Sequence, residues 1–113
     1  MASSKSFADY AIEQMAEAGE ITCKKMFGEY GVYCHGKIVA LICDNQLYIK
    51  PTAAGMAFAG DIALAPPYPG AKNYLLIEEQ LEDRAWLGHL VRITFEELPP
   101  NKPKKKRSSG KTR

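Results

Sequence analysis

The residues of this chain best able to do chemistry are its three cysteines and two histidines. Cys23, Cys34, His35 and Cys43, followed by Asp44, fall within one run of short apolar segments, while His89 stands apart near the end. Tetrahedral zinc needs thiolates and imidazoles that converge, as a rule with one close pair such as C-x2–4-C. Successive cysteines here are 11 and 9 residues apart and no CxxC occurs, so buried apolar thiols are expected and no metal. A Cys–His nucleophile needs its base within hydrogen-bond reach, yet Cys34 and His35 are adjacent and a strand would turn them to opposite faces. His89 follows Gly88 and reads as a surface or core-edge histidine. Glu78, Glu79, Glu82 and Asp83 precede a predicted helix, where acidic groups suit the helix dipole without acid–base chemistry. Gly28, Gly31 and Gly36 lie within a run of predicted strands and their turns, not between a strand and a helix, so they do not form a phosphate loop. The sequence therefore predicts no catalytic residue, no metal and no cofactor.

The elements around these residues follow from periodicity. Phe7, Ala11, Met15 and Ala18 recur at steps of four, four and three, one face of a helix over about 6–18, opened by Ser6 and closed by Gly19. Between Thr22 and Lys50 four strands are predicted: 22–27, 30–35, 38–43 and 46–50. The turns between them are Gly28–Glu29, Gly36–Lys37 and Asp44–Asn45. The third strand, IVALIC, is continuously apolar, as expected of a strand covered on both faces. Pro51 can open a short Ala-rich helix over 52–59, 60–73 is a Pro-rich loop, and 74–77 could add a fifth strand. Asp83 then caps an amphipathic helix over about 84–97, where Trp86, Leu87, Leu90, Val91, Thr94 and Phe95 share a face. Pro99–Pro100 stops it. The predicted fold class is α+β, an antiparallel meander sheet of four to five strands packed against N- and C-terminal helices.

At 113 residues the length suits one domain, here 1–98, followed by a basic tail at 99–113. The body carries all 13 acidic residues against eight lysines and arginines, a net −5, and the tail carries seven basic residues and no acidic ones. An acidic body argues against a basic nucleic-acid face on it. Lys104, Lys105, Lys106 and Arg107 are the candidates for nonspecific nucleic-acid binding through counterion release, and the tail is expected to be disordered. No apolar run reaches the ~18 residues of a membrane span and the start lacks an apolar secretion segment. Reduced thiols and a cytoplasmic location are the expectation, with no membrane partner.

Met26-Phe27-Gly28, Tyr30-Gly31-Val32-Tyr33, Gly36, Ala40-Leu41-Ile42 and Leu47-Tyr48-Ile49-Lys50, with Asp83, Trp86 and Leu87 later, resemble the N-terminal domain of the TfoX/Sxy family of bacterial competence regulators. The likeness covers about residues 5–98. It differs at Glu29, where the family often has a second glycine, and full-length family members carry a further helical domain. The resemblance implies an α+β fold with an antiparallel sheet, no catalytic residues, and a regulatory or protein-interaction role linked to transcription or competence.

Aromatics interleaved with lysines across the strands have the composition of a base-stacking sheet, but the acidic body favours core packing with lysines blunting an edge. Tyr48 and Lys50, predicted to share a face, and Lys24 and Lys25, predicted on opposite faces, are the candidate contacts to a protein partner. That partner includes a second copy of the chain. Direct nucleic-acid binding through the tail is the alternative, and an undetected enzyme the third.

Overall fold

A computed structural model describes residues 3–26 and 29–98. The order of elements is α1 (Lys5–Met15), a 3-10 turn (Ala16–Ala18), β1 (Ile21–Met26), β2 (Glu29–Cys34), β3 (Lys37–Cys43), β4 (Gln46–Ile49), α2 (Ala53–Ala59), β5 (Leu64–Ala65), β6 (Tyr74–Ile77), a second 3-10 turn (Glu79–Glu82) and α3 (Arg84–Glu97). The strands form one antiparallel sheet in the order β1-β2-β3-β4-β6-β5. The α+β class and the meander are as the sequence predicts. Two residues of the Pro-rich loop, Leu64 and Ala65, pair with β6 and bring the sheet to six strands.

Register explains which residues are buried. Ile21, Val32, Cys34, Ala40, Ile42, Leu47, Ile49, Leu75 and Ile77 share the face that α1 and α3 cover, and all but half-buried Ile21 are sealed from solvent. Ala8, Ala11 and Met15 from α1 and Leu87, Leu90 and Val91 from α3 complete this core. Burying a large aliphatic side chain contributes about 1.5–3 kcal/mol. The opposite face carries Thr22, Lys24, Tyr33, Ile38, Leu41, Gln46, Tyr48, Lys50 and Tyr74, and none of the helices among the described residues lies on it.

Several local readings change. The helix N-cap is Ser4, not Ser6: Ser4 Oγ accepts from the Phe7 amide, and the Ser4 amide donates to Asn45 Oδ1 at 2.8 Å, tying the helix start to the β3–β4 turn. The β2–β3 turn sits one residue earlier than predicted, at His35 and Gly36, both with positive φ (49° and 85°). Asp44 and Asn45, at 54° and 56°, form the predicted tight turn with both central residues left-handed, as a primed hairpin turn requires. IVALIC is not covered on both faces. Val39 is an extra residue at a bulge, because Val32 pairs with Ala40 while Tyr33 pairs with Ile38. That irregularity lets Val39 and Ala40 both be buried while Ile38 and Leu41 face outward, half-buried. The helix α2 begins at Ala53, not at Pro51 or Thr52; Thr52 is its N-cap, its Oγ1 accepting from the Gly55 amide. The predicted α3 is observed with Asp83 as its cap. Gly28 of the predicted first turn, the Pro99–Pro100 stop and the basic tail lie outside the described residues.

The C-terminal end of α3 is tied to the sheet by one lysine. Lys37 Nζ donates to the Phe95 carbonyl at 2.9 Å and the Leu98 carbonyl at 2.7 Å, and lies 4.4 Å from the centroid of the Phe95 ring. On the other side of the core Gln14 Nε2 donates to the Leu81 carbonyl at 2.9 Å, joining α1 to the turn before α3.

Candidate functional site

The cysteines do not converge. Cys34 is on the helix-covered face, fully buried, and Cys43 is on the other. Cys23 is half-buried on edge strand β1. All three are free thiols. Burial pushes each thiol's pKa up; Glu29 and Asp44 add to this at Cys43, whereas Arg92 and Lys37 oppose it at Cys34. A thiol held above its ordinary range is a poor nucleophile at neutral pH. His35 lies in the β2–β3 turn, where its Nε2 accepts from the Glu20 amide at 3.4 Å and its ring packs against Phe95. His89 is exposed on α3. Among the described residues no group of three or more His, Cys, Asp or Glu is placed to hold a metal ion, and no cysteine hydrogen-bonds a histidine. Asp83 of the acidic cluster is a helix cap.

The open face of the sheet is the more promising ground. The segment between β5 and β6 returns across it, and Pro67 is buried there while Tyr68 is 56% exposed. Beneath and beside these two residues lies a cleft of about 590 Å3, lined mainly by Ile38, Leu41, Cys43 and Tyr74 and flanked by Lys50 and Glu29. Glu29 is held by hydrogen bonds: its carboxylate accepts from the Ser3 amide (2.9 Å), Ser3 Oγ (2.7 Å) and the Asp44 amide (3.3 Å). Burial, then Tyr68 and Cys43, push the Tyr74 hydroxyl's pKa up.

Of the four residues singled out for partner contact, Lys24, Tyr48 and Lys50 share this open face by register, and Lys25 points to the other side. Tyr48 is only 6% exposed, its hydroxyl donating to Gln46 Oε1 at 3.0 Å, so its ring is part of the packing. Lys24 is exposed and sits 5.8 Å from the centroid of the Tyr33 ring. Lys104, Lys105, Lys106 and Arg107 lie outside the described residues.

A second surface is built by α2 against α3. Gly55 lets the helices approach: a Cβ there would sit 2.8 Å from Thr52 Oγ1 and 3.3 Å from Thr94 Oγ1. Three residues along, Phe58 lies over α3, stacked on His89 with centroids 4.8 Å apart and on Trp86 at 5.7 Å. Phe58 is nevertheless 36% exposed, and Met56 on the same helix 43%. Nothing in the Ala-rich sequence of α2 marked this surface beyond the presence of two large apolar side chains in so short a helix.

A family model described as the TfoX N-terminal domain matches residues 13–98. This chain belongs to the TfoX N-terminal domain family. The TfoX domain here is also similar to an uncharacterised 12.7 kDa protein from the trpE 5' region of Spirochaeta aurantia. The two are 36% identical over 105 residues, spanning 93% of this chain and 91% of the relative. Among the described residues no helix is long and apolar enough to cross a membrane.

Proposed function

We propose that this TfoX-family domain is a noncatalytic regulatory module that recognises a protein partner through the surface formed by α2 and α3. The observation that carries this is Phe58, a large aromatic ring left partly exposed yet held in place against Trp86 and His89. Interfaces concentrate their energy in a few aromatic anchors, and a ring already held by its neighbours has less freedom to lose on association. Exposed Met56 beside it on α2 offers an unbranched side chain that adapts to a partner's shape. Family membership supports regulation in place of catalysis, and transcription or competence is the process it points to. That no cysteine hydrogen-bonds a histidine among the described residues, with each thiol's pKa raised by burial, supports the noncatalytic half.

The test is Phe58→Ser. The variant should keep the wild-type circular dichroism spectrum. Its affinity for a partner captured by the wild-type domain, then purified and titrated, should fall by a factor of about 30, as expected for loss of a hot-spot aromatic. An unchanged affinity in a folded variant refutes this surface. Light scattering over a range of concentrations asks whether that partner is a second copy; a constant monomer mass removes the homodimer.

The segregation of charge, −5 on the body and +7 on the tail, favours a second activity, nonspecific nucleic-acid binding by Lys104, Lys105, Lys106 and Arg107. Truncation after Pro99 should abolish DNA binding at low salt, and the full chain's affinity should fall steeply as salt rises. Equal binding with and without the tail would refute it.

A further inference from the structure

We propose that the cleft on the open face of the sheet is a binding site for a small amphipathic carboxylate. The aliphatic or aromatic body would lie against Ile38, Leu41 and Tyr74 beneath Pro67 and Tyr68, with its carboxylate at Lys50. The site is distinct from the α2–α3 surface and does not depend on it.

Size comes first. A volume of about 590 Å3 lies within the roughly 300–1,000 Å3 typical of small-molecule sites, which are apolar with a few polar groups that fix orientation. The cleft has that make-up, a mainly apolar lining with two charged residues, Glu29 and Lys50. Its floor lies at the centre of the sheet. Leu41 sits at the centre of the sheet, between Gly31 on β2 and Tyr48 on β4, yet it remains half-buried, whereas its neighbours Ala40 and Ile42 are sealed under the helices.

Charge then selects the headgroup. Two charged residues flank the cleft, and they are not equivalent. Glu29 already accepts from Ser3 and Asp44, so its carboxylate is occupied in holding the N-terminal segment to the β3–β4 turn. Lys50 makes no ion pair among the described residues; its backbone amide is bonded to the Val39 carbonyl, which places the residue at the Ile38 end of the cleft. An anion placed there gains an ammonium that has no internal competitor. A cationic ligand would face the Lys50 ammonium at one end, and at the other a carboxylate already hydrogen-bonded to Ser3 and Asp44. Cys43 contributes a buried, neutral thiol, apolar lining and not a reactive group.

Decanoate and decylammonium below their micelle concentrations, and decanol below its solubility limit, are suitable probes, because they share a chain and differ in the headgroup. Calorimetry with the full chain should show saturable one-site binding of decanoate, and amide shifts in a nitrogen–proton correlation spectrum should centre on Ile38, Leu41, Cys43 and Tyr74. Decylammonium should bind at least about tenfold more weakly, the scale of one charge-assisted hydrogen bond. Lys50→Met should remove the preference for decanoate over decanol while leaving decanol binding unchanged, a comparison that needs no loss-of-fold control. No saturable binding of decanoate overturns the proposal. So does equal binding of decylammonium, or a decanoate preference that survives in Lys50→Met. A dimer that decanoate dissociates would also overturn it, because the cleft would then be filled by a second copy.

Discussion

Replacing Lys37 by methionine isolates what one ammonium contributes to the closure of α3. The substitution keeps an unbranched apolar stem against Phe95 and removes the charge together with its hydrogen bonds to the Phe95 and Leu98 carbonyls, at 2.9 and 2.7 Å. Hydrogen bonds from a charged donor are worth about 1.5–3 kcal/mol each where well shielded. A cation at a helix C-terminus adds about 0.3–1 kcal/mol, and the ammonium 4.4 Å from the Phe95 centroid about 0.5–1 kcal/mol. These do not sum, because one half-buried group makes all of them, and ordering a lysine side chain costs up to about 2 kcal/mol. A net loss of about 2 kcal/mol is the expected result. Urea unfolding should show a midpoint lowered by about 1 M at unchanged slope, since the surface exposed on unfolding is the same. Amides of the last turn of α3 should exchange faster with solvent, and Lys37→Arg should recover part of the loss. A Lys37→Met protein within about 0.3 kcal/mol of the wild type, inside the scatter of ordinary surface substitutions, would show that the contact is geometric and contributes nothing.

Two further outcomes follow from the packing and the buried acids. Gly55→Ala should destabilise the domain by about 1–2 kcal/mol in the same urea assay, because overpacking against Thr52, Thr94 and Leu90 outweighs the gain of up to about 1 kcal/mol in helix propensity; a stabilised variant would mean α2 slides freely over α3. Cys34 and Cys43 have folded-state pKa values raised by burial above the ordinary thiol value of 9.0, so the folded chain holds protons that the unfolded chain releases. Stability should therefore be level below about pH 8.5 and decline as pH rises beyond 9, and Cys34→Ala, though less stable throughout, should show a shallower decline. A stability that rises with pH through that window would contradict the burial of these thiols.

How legible each part was depends on how local its cause is. The last helix could be read from Trp86 to Phe95 because its apolar spacing and its Asp83 cap are both within the segment. The Asp44–Asn45 turn was equally plain, since those residue types tolerate left-handed backbone. The β2–β3 turn was misplaced by one residue because histidine is not an obvious occupant of a positive φ; here His35 is held by Glu20 and Phe95, neither near it in sequence. Ser4 outcompeted Ser6 as a cap through its bond to Asn45, again a distant partner. IVALIC misled because a continuous apolar run signals burial on both faces, whereas a bulge at Val39 and a cleft over Ile38 and Leu41 yield the same letters. The cleft itself was not visible at all. It exists only because a Pro-rich loop returns over the sheet, and the local signals of 60–73 say only that the chain turns there.

The division of the sheet into a sealed side and an open side has an evolutionary corollary. Alternate residues along one strand answer to separate pressures: Val32, Ala40, Ile42 and Ile49 to the stability of the molecule, Ile38, Leu41 and Lys50 to whatever meets it from outside. Substitutions in the second set should therefore cost the fold less than substitutions in the first, which leaves the open side free to change chemistry without dismantling the architecture.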